Sequence, residues 1–377
     1  MASRGLEGVI AARTALSHVY GEEGRLVYGG YEIADLAEHA SFEEVCHLLW
    51  YGDLPDRAQL ARLKEALARG APVDDTVLAI VEAAPADAHP MSTLRTAISA
   101  LGLVDPDAED NGAEANLRKA IRLTAQTVTV TAAIARVRAG RQPVPPRTGL
   151  SLAANLLHMI HGDPPDRLAE RIVDSALIVH AEHGMNASTF AARVTAATLS
   201  DMHSAVTSAV GTLKGPLHGG ANEQVMHMLL EIQEPDAAAD YVREKLARGE
   251  KVMGFGHRVY RTTDPRAPIL KRYAEELAAR GGDTRWLQVS EAVQAAMRAE
   301  MDRKGKPVYP NVDFFSASVY YTLGIPLDLF TDVFACARMA GWTAHVMEQH
   351  ANNRLIRPAS EYVGPEGRVV RPIEERA

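Results

Sequence analysis

The sequence is short of cysteine, of aromatic residues, of long apolar runs and of positive charge, and each shortage removes a class of function. Only Cys46 and Cys336 occur, 290 positions apart, so no CxxC or metal-type thiolate spacing exists. A disulfide framework is not expected, and a reducing cytoplasm is the expected location. The 40 Lys plus Arg against 48 Asp plus Glu give a formal net charge of −8. A nucleic-acid-binding surface needs the opposite balance, so no nucleic-acid partner is expected. No uninterrupted apolar run approaches the roughly 18 residues of a membrane helix. Glu7 stands where a secretory leader would be apolar, so a folded chain with no membrane partner is expected. No fixed-period repeat is visible.

Ala, Leu, Glu and Arg are abundant and aromatics make up 6% of the chain, a balance that favours helix. Phe42, Val45, Cys46, Leu48 and Leu49 share one helical face, as do Leu60, Leu63 and Leu67, and Leu168, Ile172, Val173, Ala176 and Val179. Thr127–Thr131 alternates like a strand, but the longer series Ile121, Ala125, Val128, Ala132, Ala135 has helical spacing and takes precedence. Short strands are expected only around Arg25–Tyr31 and Glu361–Val370. The fold class expected is all-α. Pro-rich Arg138–Thr148 reads as a connection between helices. Acidic Asp105–Asn116 reads as a solvated loop, because an EF-hand would need Gly and Glu where Asp110 and Asn116 stand.

Eight of the 14 histidines fall between His158 and His257. The pairs His158/His161 and His180/His183 each share a helical face, yet no HExxH string or carboxylate array accompanies them, and no metal site is expected. His180 and His183 continue an apolar face, and His158, His161, His203 and His227 read as structural histidines.

Three strings have features that secondary structure does not require. KGPLHGGANE (Lys214–Glu223) places His218 between a Gly-Pro break and a Gly-Gly pair, where the backbone is free to present an imidazole. GFGHRVYRTTDPR (Gly254–Arg266) lacks the third glycine of a dinucleotide fingerprint, since Val259 stands there. From His257 to Arg272 it has five basic residues and a single acid, Asp264, which makes a local anion site in an acidic protein. PNVDFFS (Pro310–Ser316) sets Asp313 among Val312, Phe314 and Phe315. A carboxylate in apolar company has its pKa raised and suits a general base; the plain alternative is a helix N-cap ahead of Phe314–Leu323.

Together these strings resemble the citrate synthase family over nearly the whole chain. The likeness includes the opening GLEGVIAARTALSHVYGEEGRLVYGGYEIADLA, HPMSTLR at His89–Arg95, HAEHGMNAST at His180–Thr189 and RLIRP at Arg354–Pro358. It implies a mostly helical homodimer with a large domain (residues 1–218 and 324–377) and a small one (219–323) closing over a cleft. The implied reaction joins the acetyl group of acetyl-CoA to oxaloacetate at the entry to the tricarboxylic acid cycle, with no cofactor. By resemblance His218 binds the thioester oxygen, Asp313 is the base and His257 faces the oxaloacetate carbonyl. His183, Arg266, Arg338 and Arg357 match the residues on the substrate carboxylates, Arg357 reaching the partner subunit's site. Arg261, Gly254 and Gly256 match the CoA side.

Residue chemistry supports that assignment. A carbon acid beside a thioester needs a base and an oxygen donor acting together, and guanidinium forks suit a dicarboxylate. Arg338, in the apolar stretch FACARMAGW, requires an anionic partner wherever it is buried. Two other readings remain at this point: 2-methylcitrate synthase, using propionyl-CoA, and a non-catalytic helical scaffold or metal carrier. Only four residues precede Gly5, so the extra N-terminal region of large allosteric relatives, with its hexamer and NADH regulation, is not expected.

Overall fold

The computed structural model describes residues 4–6, 8–281 and 284–376; Glu7, used above against a leader, lies outside them. Near the N-terminus Ser17–Tyr20 (β1), Arg25–Tyr28 (β2) and Tyr31–Glu32 (β3) form an antiparallel sheet in the order β1-β2-β3, Ser17 opposite Tyr28 and Val27 opposite Glu32. The rest is helical: Ile33–His39 (α1), Phe42–Tyr51 (α2), Arg57–Gly70 (α3), Asp75–Glu82 (α4), Pro90–Val104 (α5), Ala113–Arg138 (α6), Leu152–His161 (α7) and Arg167–His180 (α8). There follow Ala187–Ala196 (α9), Met202–Leu213 (α10), Ala221–Ile232 (α11), Ala238–Ala247 (α12), Ala267–Ala279 (α13), Arg285–Arg303 (α14), Val312–Thr322 (α15) and Phe330–Ala351 (α16). The all-α expectation holds, and α2, α3, α6 and α8 cover the four stripes read from the sequence.

Local chemistry explains where these helices start. Ser41 with Glu44 and Asp56 with Gln59 form capping boxes for α2 and α3. Asp166 caps α8 and Asn186 caps α9. A helix that is apolar all round must be buried, and α16 is: from Phe330 to Val346 every residue is buried. It packs against α6, α8, α9 and α10 as the axis of the molecule. Gly341 is the closest approach along it, because a Cβ there would overlap the Ala181 carbonyl and Glu182 Oε2.

Four expectations are corrected. Glu361–Val370 is not a strand; it is exposed coil, and among the described residues no strand lies beside it to supply ladder hydrogen bonds. The cap of α15 is Asn311, whose side chain accepts the Asp313 amide, so Asp313 is not an N-cap. His227 is on the surface, next to Glu223 one turn earlier, and is no core histidine. The acidic loop is only partly solvated: Arg122 bridges Asp105 and Asp107, and Arg118 also takes Asp107.

Candidate active site

Five chain segments, all from the strings singled out above, build the site. The first is the turn between α8 and α9 that carries His183. Its shape depends on buried Glu182, whose Oε1 accepts from the Gly184 amide (2.6 Å), the Ser17 hydroxyl (2.9 Å) and His345 Nε2 (3.0 Å). Tyr28 reaches the same turn from β2 and donates to the Glu182 carbonyl at 2.7 Å. His183 Nε2 shares a 3.1 Å hydrogen bond with the buried Tyr260 hydroxyl.

The second segment is the link between α10 and α11, which presents His218. Its Nε2 accepts from the Ser188 amide at 3.3 Å and lies 2.8 Å from Ser188 Oγ, itself a hydrogen-bond acceptor for Trp342 Nε1. The third and fourth segments, 254–266 and 309–313, are strapped to each other. The Asn311 amide donates to the Gly254 carbonyl, the Gly256 amide to the Tyr309 carbonyl, and Asn311 Nδ2 to the Gly256 carbonyl, at 2.9, 2.9 and 3.0 Å. Gly254 has φ +79°, and a Cβ there would strike Phe314 and Val225, so only glycine lets this strap close. The strap brings His257 and Asp313 into one region. The fifth segment is the middle of α16, where Arg338 stacks over Phe334 and donates from Nε to the His180 carbonyl at 2.7 Å.

Burial sets the protonation states. His218 and His257 are each pushed down to about 4, first by desolvation, then by Arg338 and Arg266 respectively. His183 falls well below the usual histidine value for the same reasons, with Arg266 the strongest charge acting on it. All three rings are neutral at pH 7. His257 Nδ1 accepts from the Val259 and Tyr260 amides, at 3.0 and 3.1 Å, which leaves the proton on Nε2. Desolvation pushes Asp313 up to about 6 against the opposing pull of Arg266 and Arg338.

The two buried arginines differ. Arg266 is engaged by Asp264 through Nε (2.9 Å) and one terminal nitrogen (2.7 Å). Arg338 has only its Nε bonded within the described residues, and burial lowers it to about 10, still cationic at neutral pH. His183 and His257 meet edge-to-face with ring centroids 5.2 Å apart, Asp313 is in the field of both arginines, and His218 joins through Arg338 and the Phe334 ring. Arg261, Gly256 and His257 line a groove together with Tyr309 and Pro310. Gly254 is buried behind that groove. Arg357 lies apart, exposed in the coil after α16.

Sequence reasoning passed over Glu182, Tyr260 and Ser188, and treated Asp264 only as the lone acid in a basic run. Each acts on a neighbour distant in the chain or by folding back two residues, so no spacing rule marks them. Among the described residues no group of three or more His, Cys, Asp and Glu could hold a metal ion, and no helix is long and apolar enough to cross a membrane.

The arrangement offers a partly protected carboxylate base, neutral imidazole donors and a buried guanidinium with free donors, which is what proton abstraction beside a carbonyl and capture of a carboxylate require. Comparison with known proteins agrees. Residues 5–359 match the family described as citrate synthase, C-terminal domain. The chain is 48% identical to citrate synthase 2 of Bacillus subtilis, over the full length of both, and 48% identical to the citrate synthase of Haloferax volcanii, over 99% of this chain and 98% of that one. It is 45% identical to a 2-methylcitrate synthase of Mycobacterium tuberculosis, over 97% and 92%. Among solved structures, citrate synthase from Pyrobaculum aerophilum superposes with a TM-score of 0.92 at 39% identity, covering 99% of this chain and 95% of that one. The citrate synthase of Thermoplasma acidophilum, in ternary complex with carboxymethyl coenzyme A and oxaloacetate, gives a TM-score of 0.93 at 33% identity, covering 99% of each chain. The chain belongs to the citrate synthase family.

Proposed function

We propose that this enzyme condenses acetyl-CoA with oxaloacetate and water to give citrate and free CoA. The observation that supports this reading is the setting of three groups: His218 beside Arg338, His257 beside Arg266, and Asp313 in the field of both arginines, with the two rings neutral at pH 7 and the carboxyl raised. Asp313 takes a proton from the acetyl methyl group. His218, whose Nε2 lone pair is taken by the Ser188 amide, donates from Nδ1–H to the thioester oxygen as the enol forms. His257 donates from Nε2–H to the oxaloacetate ketone, whose carbon the enol attacks. His183, Arg266, Arg338 and, from the partner subunit, Arg357 hold the carboxylates. Arg261 and Gly256 border the CoA side, with Gly254 shaping the strap beneath. Water then cleaves the citryl thioester. CoA enters as a substrate, and acid–base side chains cover each step without a resident cofactor.

The proposed assembly is a homodimer in the cytoplasm, with residues 219–323 closing as a small domain on residues 1–218 and 324–377 to exclude water. A 2-methylcitrate synthase reading, with propionyl-CoA as donor, is supported by relatives of that name at 45% and 46% identity. One methylene in an apolar pocket is worth only about 1–3 kcal/mol, so the two activities lie close together. Thiol release with acetyl-CoA and with propionyl-CoA, each with and without oxaloacetate, tests both. We expect oxaloacetate-dependent release with the larger kcat/KM for acetyl-CoA. A larger value for propionyl-CoA selects the second reading, and no release with either donor rejects both.

A further inference from the structure

Two side chains of α8 grip the end of α1, and one of them also reaches α13. Arg171 donates to the Ala37, Glu38 and Ala40 carbonyls at 2.5, 2.6 and 2.9 Å, meeting acceptors that a helix leaves unpaired where it ends. Ser175, one turn further on and fully buried, has its Oγ 3.2 Å from the Ala37 carbonyl and 2.8 Å from the buried Tyr273 hydroxyl of α13. A carbonyl can only accept, so Ser175 donates to Ala37 and accepts from Tyr273. Beside this junction Arg272 of α13 pairs with Glu38 at 2.6 Å, and further along Arg280 pairs with Asp166 at 2.7 Å. Both ion pairs are about half exposed, so water leaves them little strength. The hydroxyl pair is the one link between α8 and α13 described here that water does not reach.

The pairings run in opposite order along the two helices, which are therefore antiparallel, and they end at the site. Arg266 stands at the cap of α13 and is the strongest charge acting on His180, the last residue of α8, and on His183 just beyond it. α13 packs broadly on α15 and only narrowly on α8. The Val312 amide that opens α15 also donates to Asp264, the partner of Arg266, at 3.1 Å. Thus α13 and α15 carry Arg266 and Asp313 together, and little fixes α13 against the helix that leads to His183.

We infer that the buried Ser175–Tyr273 hydrogen bond is a clasp that sets the spacing between His183 and Arg266, with both hydroxyls acting as positioning residues from outside the site. The inference rests on the carboxylate-binding role proposed above for His183 and Arg266. With the clasp broken, the arrangement that brings both groups to one dicarboxylate is only part of the population. Apparent affinity then falls by that fraction, while the occupied site remains complete.

The test is steady-state thiol release by wild type, Tyr273→Phe, Ser175→Ala and the double variant. Tyr273→Phe keeps the ring and its packing and removes one hydroxyl, and Ser175→Ala removes the same bond from the α8 side. In each single variant we expect the oxaloacetate KM to rise roughly three- to tenfold, the net contribution of one hydrogen bond, with kcat and the acetyl-CoA KM within about twofold of wild type. The double variant should be no worse than the poorer single one, because the two hydroxyls act through one bond. A folded Tyr273→Phe enzyme with the wild-type oxaloacetate KM overturns the inference, as do effects that multiply in the double variant. A substrate-free measurement separates this from the functional reading. Spin labels placed through Ala61→Cys on α3 and Ala279→Cys on α13, both exposed positions, report α13 against the body of the chain, since Cys46 and Cys336 are buried. The distance distribution should widen in Tyr273→Phe, and an unchanged width overturns the inference whatever the substrates prove to be.

Discussion

A carboxyl that titrates at about 6 beside imidazoles that titrate at about 4 is ionised over a range in which those rings are neutral. The proposed base and the proposed donors are then ready together. Above the Asp313 midpoint the carboxylate can take a proton, so the acid limb of kcat/KM should fall near pH 6, with the histidines already neutral there; a limb at the ordinary carboxylate value would contradict the environment described for Asp313. Asp313→Asn should bind oxaloacetate in calorimetric titration and lose turnover by orders of magnitude, and near-normal turnover would remove it from the role of base. His218→Ala should lower kcat by about 10²–10³, the usual loss for one oxyanion donor, measured in the thiol-release assay. At this scale the sequence was informative, because glycine breaks and apolar neighbours around His218, His257 and Asp313 are local signals. It was silent on Asp264 and Glu182, whose hydrogen bonds fix parts of the site they do not themselves supply.

Elements hold these residues through contacts between helices. Gly341 lets α16 lie against the turn that carries His183, and Gly341→Ala should cost about 1–3 kcal/mol in denaturant unfolding, as overpacking typically does. A variant as stable as wild type would mean that the turn yields freely. Between α2 and α8 a second buried acid stands out: burial and the Glu43 carboxylate push Asp174 up to about 7, while its Oδ1 accepts the Phe42 amide. The folded protein binds this proton more tightly than the unfolded chain does. Its contribution is therefore complete below the ordinary aspartate value and is lost as pH rises through about 7. Asp174→Asn should flatten the decline in unfolding free energy between about pH 4 and about pH 7, and an unaltered slope would assign that proton elsewhere. Helix spans followed from periodicity and caps. The strand reading of Glu361–Val370 failed because alternation specifies a face, whereas a strand also requires a partner.

On the scale of the whole molecule, the coil after α16 exposes Leu355, Tyr362, Val363, Val369, Val370 and Ile373, with Val363 at 90%. Such a run of exposed apolar side chains fits the proposed dimer, in which Arg357 serves the neighbouring subunit. Mixing provides the check. Arg357→Ala and Asp313→Asn homodimers should each be nearly inactive, and co-refolded heterodimers should recover activity from the one site that has an intact Asp313 and receives an intact Arg357. Absence of recovery from heterodimers isolated as such would place Arg357 in its own subunit's site or outside the chemistry.

The order of amino acids alone determined the helical class, the faces turned inward and the three strings to which the chemistry is assigned in the proposed function, because helical periodicity, capping and glycine punctuation act over a few residues. Protonation and pairing were decided only by the tertiary structure. Desolvation of His218, His257 and Asp313 depends on helices that are remote in the chain, and the choice of Asp264 rather than a ligand for two arms of Arg266 depends on where α15 begins. Coulomb and hydrogen-bond energies are set by distance in space, which sequence separation does not fix.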